Sequence, residues 1–286
     1  NTVRLSDDGK TLLVGTHVVN NSGQISMAVK AYYNEDASDQ SSDAWKQIGS
    51  EKTFAPQARL NRDSVPISLS NDGKTFAVGI IGDGTQANYK GKVEIYSLNN
   101  KNIWTKVGQT IEGESEGDDC GASVSLNTNG DVVIIGSPGN DNTSSNSGQA
   151  RVFYYSSKSG LWTQGGRNIE GFGSTSNGGQ NVSINGTGTR VIVASPGNDQ
   201  LGENRGKVEA YQVALKASIT TFMHVEKNPL LEESRWSIKN KEDVNVELFY
   251  SVHGPVTFID KKRKKAYAVK NGWSEVGGSP YLASLR

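Results

Sequence analysis

Apolar positions in this chain come in short runs separated by polar turns. From Gly121 to Gly171 the β-branched and aromatic residues gather into Ser123 to Leu126, Val132 to Gly136, Ala150 to Tyr155 and Leu161 to Gln164. Runs of about four to six such residues, bounded by Gly, Asn, Asp and Ser, predict β-strands. No stretch sustains a helical period, so the pattern predicts an all-β chain.

The same pattern recurs. A turn glycine stands at Gly9, Gly73, Gly130 and Gly188, at spacings of 64, 57 and 58, and a tryptophan at Trp45, Trp104 and Trp162, spaced 59 and 58. Self-similarity at a fixed period means that each repeat is one supersecondary unit that buries its apolar face against its neighbours. Asp8-Gly9, Asp72-Gly73 and Asn129-Gly130 join the first two strands and predict two-residue hairpins with both central residues at positive φ. The second connection is longer and polar, Pro138 to Gly148 and Pro196 to Gly206. Four antiparallel strands per repeat of about 58 residues describe blades of a β-propeller over 1–213. An extension of the unit to 225 is the alternative boundary, because the stretch ITTFMHV around Thr220 falls where a fourth tryptophan strand is due.

The run ASVSL, then NGDVVIIGSPGND, then GQARVFYY resembles the FG-GAP type of propeller repeat. The resemblance implies a secreted binding or adhesion module. Repeats of that type usually carry an Asp-rich calcium loop before the second strand. LSDDGK, LSNDGK, LNTNGD and INGTGT stand there instead and are too short to wrap an ion, so no metal is expected.

Composition narrows the setting. The chain has 286 residues, 34% of them hydrophobic, with no apolar run long enough to span a membrane. It opens at Asn1 inside a strand pattern, with no initiator Met or signal peptide, which predicts a piece of a longer protein. Cys120 is its one cysteine, which excludes an internal disulfide framework. Sequons at Asn20, Asn142, Asn181 and Asn185 are about as many as chance supplies in so Asn- and Ser-rich a chain. An extracellular or periplasmic location is the expectation. Net charge is zero, with 12 basic against 8 acidic residues over 214–286 and 18 against 22 before it. That imbalance is too small to predict a nucleic-acid partner.

Near residue 214 the periodicity stops. Val244, Val246, Leu248, Tyr250 and Val252 alternate as one half-buried strand, and the basic run 261–265 sits between VTFI and AYAV as a solvated hairpin tip. The series Tyr250-Ser251-Val252-His253-Gly254-Pro255-Val256, then Ala266-Tyr267-Ala268, then Trp273, resembles the β-subunit of the penicillin acylase family of N-terminal-nucleophile amidohydrolases. The resemblance covers about 224–286 and implies a β-rich, incomplete segment of that fold over 226–286. It implies structural roles for His253, Gly254, Pro255, Val256, Tyr267 and Trp273.

The resemblance supplies no catalytic residue. Such enzymes act through a processed N-terminal Ser, Cys or Thr with its own α-amino base, and an oxyanion Asn. The matched segment holds neither. Cys120 follows Asp118-Asp119 just ahead of a predicted strand, where a structural role outweighs a nucleophilic one. His17, His224 and His253 lack ligand spacing, and no cofactor is expected. The repeated Pro-Gly-Asn-Asp opens the long loops, so Asn140, Asp141, Asn198 and Asp199 are the candidate binding residues, with an Asx-turn role as the alternative. Two functions follow: a propeller that binds a protein or glycan, or an accessory propeller on a penicillin-acylase-like amidohydrolase that cleaves linear amides.

Overall fold

The structure is a computed structural model that describes residues 1–19, 25–36, 38–39, 41–54, 65–81, 90–171, 173–200, 202 and 205–213, and six strands between 224 and 276. The chain divides into two compact units, Asn1–Val213 and Ala214–Arg286.

The first unit is a row of β-meanders. Blade 1 comprises β1 (Thr2–Leu5), β2 (Thr11–Val19), β3 (Ile25–Tyr33) and β4 (Lys46–Phe54), paired in that order. Blade 2 comprises β5 (Ile67–Leu69), β6 (Thr75–Ile80), β7 (Lys92–Leu98) and β8 (Trp104–Lys106), with the short β9 (Ile111–Glu112) turning back onto β7. Blade 3 repeats this with β10 (Ser123–Leu126), β11 (Val132–Ser137), β12 (Gln149–Ser156), β13 (Leu161–Gln164) and β14 (Ile169–Glu170) on β12. Blade 4 shows β15 (Asn181–Ile184), β16 (Arg190–Ser195) and β17 (Lys207–Gln212). All these pairings are antiparallel, which is the propeller blade the sequence predicts.

The first hairpins differ from expectation. Gly9, Gly73 and Gly130 have φ of 71°, 69° and 70°, but the Asp or Asn before each is not left-handed. The connection runs over residues 6–10 and their equivalents, 70–74 and 127–131, between the last residue of one strand and the first of the next. The cause is a side-chain acceptor at the head of each turn. Ser6 Oγ receives Thr11 N (2.8 Å), Ser70 Oγ receives Thr75 N (2.9 Å), Asn127 Oδ1 receives Val132 N (3.0 Å) and Asn185 Oδ1 receives Arg190 N (2.8 Å). The hydroxyl or amide oxygen closes the loop, so only the glycine adopts the left-handed conformation.

Neighbouring blades share their apolar faces. Val132–Ser137 is buried at every position because both sides of β11 are covered. Leu13, Met27 and Val29 of blade 1 pack with Ile67, Phe76 and Val78 of blade 2. Ala77, Val93 and Ile95 of blade 2 pack with Val124, Val133 and Ile135 of blade 3. The turns are also linked to one another: Asp7 N donates to Asn71 O (3.0 Å), Asn71 N to Thr128 O (3.1 Å) and Thr128 N to Gly186 O (3.0 Å).

The fourth strands carry the tryptophans, and each buried indole reaches back across the seam. Trp104 Nε1 donates to Ile48 O (3.2 Å) and Trp162 Nε1 to Val107 O (2.8 Å). Trp45, just ahead of β4 in the first blade, stays half-buried.

The second unit contains β18 (His224–Asn228), β19 (Glu233–Ser237), β20 (Leu248–Val252), β21 (Val256–Asp260), β22 (Lys265–Val269) and β23 (Gly272–Val276). One sheet has the order β18-β19-β21-β22, with β19 and β21 parallel, and β20 pairs β23 antiparallel. The expected hairpin VTFI/AYAV is the β21–β22 pair. Its basic residues 261–264 lie outside the described residues, as do 244–247 of the expected long strand.

Candidate functional site

In an antiparallel meander the first hairpins fall at one end of the sheets. The connections between second and third strands fall at the other, with the linkers that pass from blade to blade. That second end carries the long polar loops.

Residues 138–148 and 196–206 enter their loops in the same way. Asn140 and Asn198 are only 3% and 1% exposed. Asn140 Nδ2 donates to Asp118 Oδ1 (3.1 Å) and Asn198 Nδ2 to Ser176 Oγ (3.4 Å), while their Oδ1 atoms accept Asn142 N (3.0 Å) and Gln200 N (3.1 Å). Gly139 N to Asp118 O (3.1 Å) and Gly197 N to Ser176 O (3.2 Å) complete the joint. These asparagines tie each loop to the preceding linker. Asp141 and Asp199, one residue on, are exposed, and Asp141 Oδ1 also accepts Asn146 N (2.6 Å). The four candidate residues thus divide into two anchors and two outward carboxylates.

The linker side of the joint was missed by motif reading. Asp118 is 1% exposed, and its Oδ2 accepts Glu114 N and Ser115 N, both at 2.9 Å. Asp118 and Ser176 stand 58 apart, the same offset as Asn140 and Asn198, and that shared offset is the signal that would have found them.

The loop of blade 3 continues onto the next linker through Thr175 N to Ser145 O (2.8 Å), Asn177 N to Asn146 O (3.0 Å) and Gly178 N to Ser147 O (2.8 Å). Asp119, Asn146, Thr175 and Asn177 have φ of 55°, 48°, 61° and 52° on this end of the sheets. Left-handed backbone is uncommon for non-glycine residues and an outlier for a β-branched one.

Beneath the loops, the seam between blades 2 and 3 holds a buried polar group. Arg151, 5% exposed, donates from Nη2 to Glu112 O (2.7 Å) and to Cys120 Sγ (3.5 Å), and its Nη1 lies 3.7 Å from Glu114 Oε1. Gln149 Nε2 donates to Glu114 Oε2 (2.9 Å). Cys120 is fully buried, and that burial pushes its thiol pKa up, with Arg151 opposing in part. A buried, protonated thiol lacks the thiolate a nucleophile needs.

His17 lies on β2 and His224 on β18, and His253, Gly254 and Pro255 fall outside the described residues. Among the described residues no group of three or more His, Cys, Asp or Glu could hold a metal ion. Val256 begins β21 opposite Val269, Tyr267 pairs Phe258, and Trp273 pairs Ser251. No helix among the described residues is long and apolar enough to cross a membrane.

No family model matches the chain, and no curated relative matches it in sequence. Similar solved structures include a prolyl endopeptidase, at 14% identity over 98% of this chain and 34% of that one, with a TM-score of 0.44. Others are the Dos1 propeller, at 9% identity over 74% and 54% with a TM-score of 0.37, and Pyrococcus horikoshii acylaminoacyl peptidase, at 13% over 94% and 42% with a TM-score of 0.39. The chain therefore spans between about a third and a half of the length of these structures. The class itself, an all-β chain of propeller blades, rests on the antiparallel meanders and their repeated seams.

Proposed function

We propose that residues 1–213 act as a noncatalytic recognition module of the extracellular or periplasmic type. Its binding surface is the loop end of the blades, and its ligand a protein or glycan. The observation that carries this reading is the repeated joint in which a buried asparagine fixes the loop and the next residue, Asp141 or Asp199, is held outward. Left-handed backbone at Asp119, Asn146, Thr175 and Asn177 adds to it, because such conformations persist only where surrounding structure fixes them, and they cluster at ligand sites. An FG-GAP-like repeat supplies the adhesion analogy.

The second reading, an amidohydrolase of the penicillin acylase family with the propeller as accessory, is favoured by the His253-Gly254-Pro255-Val256, Tyr267 and Trp273 series. It gives this chain no nucleophile, so the chain is expected to leave a chromogenic acyl-anilide intact.

The two are separated by one set of measurements on the full chain. Binding to a glycan panel and to immobilised extracellular-matrix proteins is expected, and the double variant Asp141→Ala, Asp199→Ala is expected to lower affinity about tenfold or more. Binding to no member of either panel, or binding that the double variant leaves unchanged, removes the recognition reading. Turnover of the anilide establishes the hydrolase.

A further inference from the structure

Three asparagines among the described residues precede a glycine: Asn129-Gly130, Asn177-Gly178 and Asn185-Gly186. Such a pair is chemically labile, because a following residue without a Cβ lets its amide nitrogen reach the carboxamide carbon of the asparagine. The fold restrains two of the three. Asn185 makes four bonds within its turn: Oδ1 accepts Thr189 N and Arg190 N, both at 2.8 Å, and Nδ2 donates to Thr187 Oγ1 (2.9 Å) and Thr189 Oγ1 (3.2 Å). Asn177 is half-buried, and its Nδ2 donates to Thr175 O (3.0 Å). Gly178 N, the nitrogen that would attack it, donates to Ser147 O of another segment (2.8 Å).

Asn129 differs, being exposed with a carboxamide that bonds no described residue. The reason lies at the head of its turn. In blades 1 and 2 the same position is Asp8 and Asp72, whose Oδ1 atoms accept Ser6 Oγ and Ser70 Oγ (both 2.6 Å) and Lys10 N and Lys74 N (both 3.0 Å). In blade 3 the head is Asn127, and its Nδ2 donates to Asp131 Oδ1 instead (2.7 Å). Residue 129 is thereby left unheld. Gly130 N is engaged by the turn's own bond to Asn127 O (3.1 Å).

We propose that Asn129 is a self-modifying site of the blades, where the chain loses a side-chain amide without an enzyme. Gly130 N gives its proton to solvent base and attacks Asn129 Cγ. The new N–Cγ bond replaces the Cγ–Nδ2 bond, and Nδ2 leaves as ammonia with a proton from water. Water then opens the cyclic imide at either of its carbonyls, which yields an aspartyl or an isoaspartyl residue. The aspartyl product places a carboxylate where blades 1 and 2 already have one. The isoaspartyl product lengthens the main chain just ahead of Gly130, where a Cβ alone would come within 2.7 Å of Thr75 Cβ in blade 2. It also disturbs Thr128, whose O accepts Asn71 N (3.1 Å) and whose N donates to Gly186 O (3.0 Å). Ageing at one residue thus loosens the links from blade 3 to both of its neighbours.

The test is peptide mapping by mass spectrometry of the full chain after incubation in mildly alkaline buffer below its melting temperature, with released ammonia measured alongside. Aspartyl and isoaspartyl forms of the Asn129 peptide are expected to accumulate about tenfold or more faster than those of Asn177 and Asn185, whose hydrogen bonds must break before attack. In denaturant the three rates are expected to come together. Asn129→Gln, at an exposed position, is expected to leave circular dichroism unchanged and to lower the ammonia released by the amount of the Asn129 product. Retention of the Asn129 amide while either other pair converts overturns the proposal, as do equal rates at all three in the native chain. A native order that persists in denaturant overturns it too, since the neighbouring sequence rather than the fold would then set it.

Discussion

The Trp162 indole bonds the carbonyl of Val107 at 2.8 Å across the seam between blades 2 and 3, and the Trp104 indole repeats this on Ile48 one seam earlier. A residue of one outermost strand is thereby tied to the blade before it. Trp162 is 3% exposed, so Trp162→Phe is expected to cost about 1 kcal/mol for the lost hydrogen bond, and Trp162→Ala about 3–5 kcal/mol. Its neighbour Leu161, 48% exposed, should tolerate alanine within about 0.5 kcal/mol. Denaturant midpoints of the three variants check the order.

Backbone contact between blades is as demanding as side-chain packing. A Cβ on Gly136 would lie 1.9 Å from Gly179 O, while one on Gly160 would meet nothing within 4 Å. Gly136→Ala is expected to cost about 3 kcal/mol or more. Gly160→Ala, where only the φ of 69° resists, should cost about 1 kcal/mol. Equal losses in thermal melts would contradict the seam geometry.

Cys120 should be inert to a disulfide reagent in the native chain and reactive once the chain is unfolded. Full burial and a raised pKa both withhold the thiolate. Labelling that outruns unfolding would place the thiol at the surface, against this structure.

His17 predicts a loss of stability in mild acid. Burial holds its folded pKa below the usual 6.5. The fold therefore favours neutral imidazole, so its contribution is complete above pH 6.5 and is lost as pH falls through the folded value. The melting temperature should drop between about pH 7 and pH 5, and His17→Gln should flatten that drop.

Calcium should leave the melting temperature unchanged relative to excess chelator. The turns at the position of the calcium loop are short and are closed by Ser6, Ser70, Asn127 and Asn185 on their own backbone. A reproducible rise on adding calcium would falsify this account of the turns.

Much of the blade architecture was legible because its determinants are local. The limits Ser123–Leu126 and Leu161–Gln164 agree with the runs of β-prone residues, while β11 runs one residue longer at its end and β12 one residue longer at each end. The short β9 and β14 were invisible, since two residues paired back onto a third strand leave no period to read. The turn type was misjudged because Asp-Gly and Asn-Gly were read without the Ser or Asn that heads each loop. At the candidate site, Asn140 and Asn198 were found by repetition. Their interior role depends on Asp118 and Ser176, contacts between distant segments that a motif does not encode. Arg151, a charge within a strand, is buried by the seam, and no local pattern encodes that contact.

Gly79 and Gly136 lie back to back with Gly121 and Gly179 of the following blade, closer than any side chain permits. The closest approach of successive sheets is thus made where two backbones touch, beside the apolar residues that fill the seam. A methyl group added at either place would splay one pair of blades. How far one blade leans from the next depends in part on that contact, so the lean of the row is written partly in side chains that are missing.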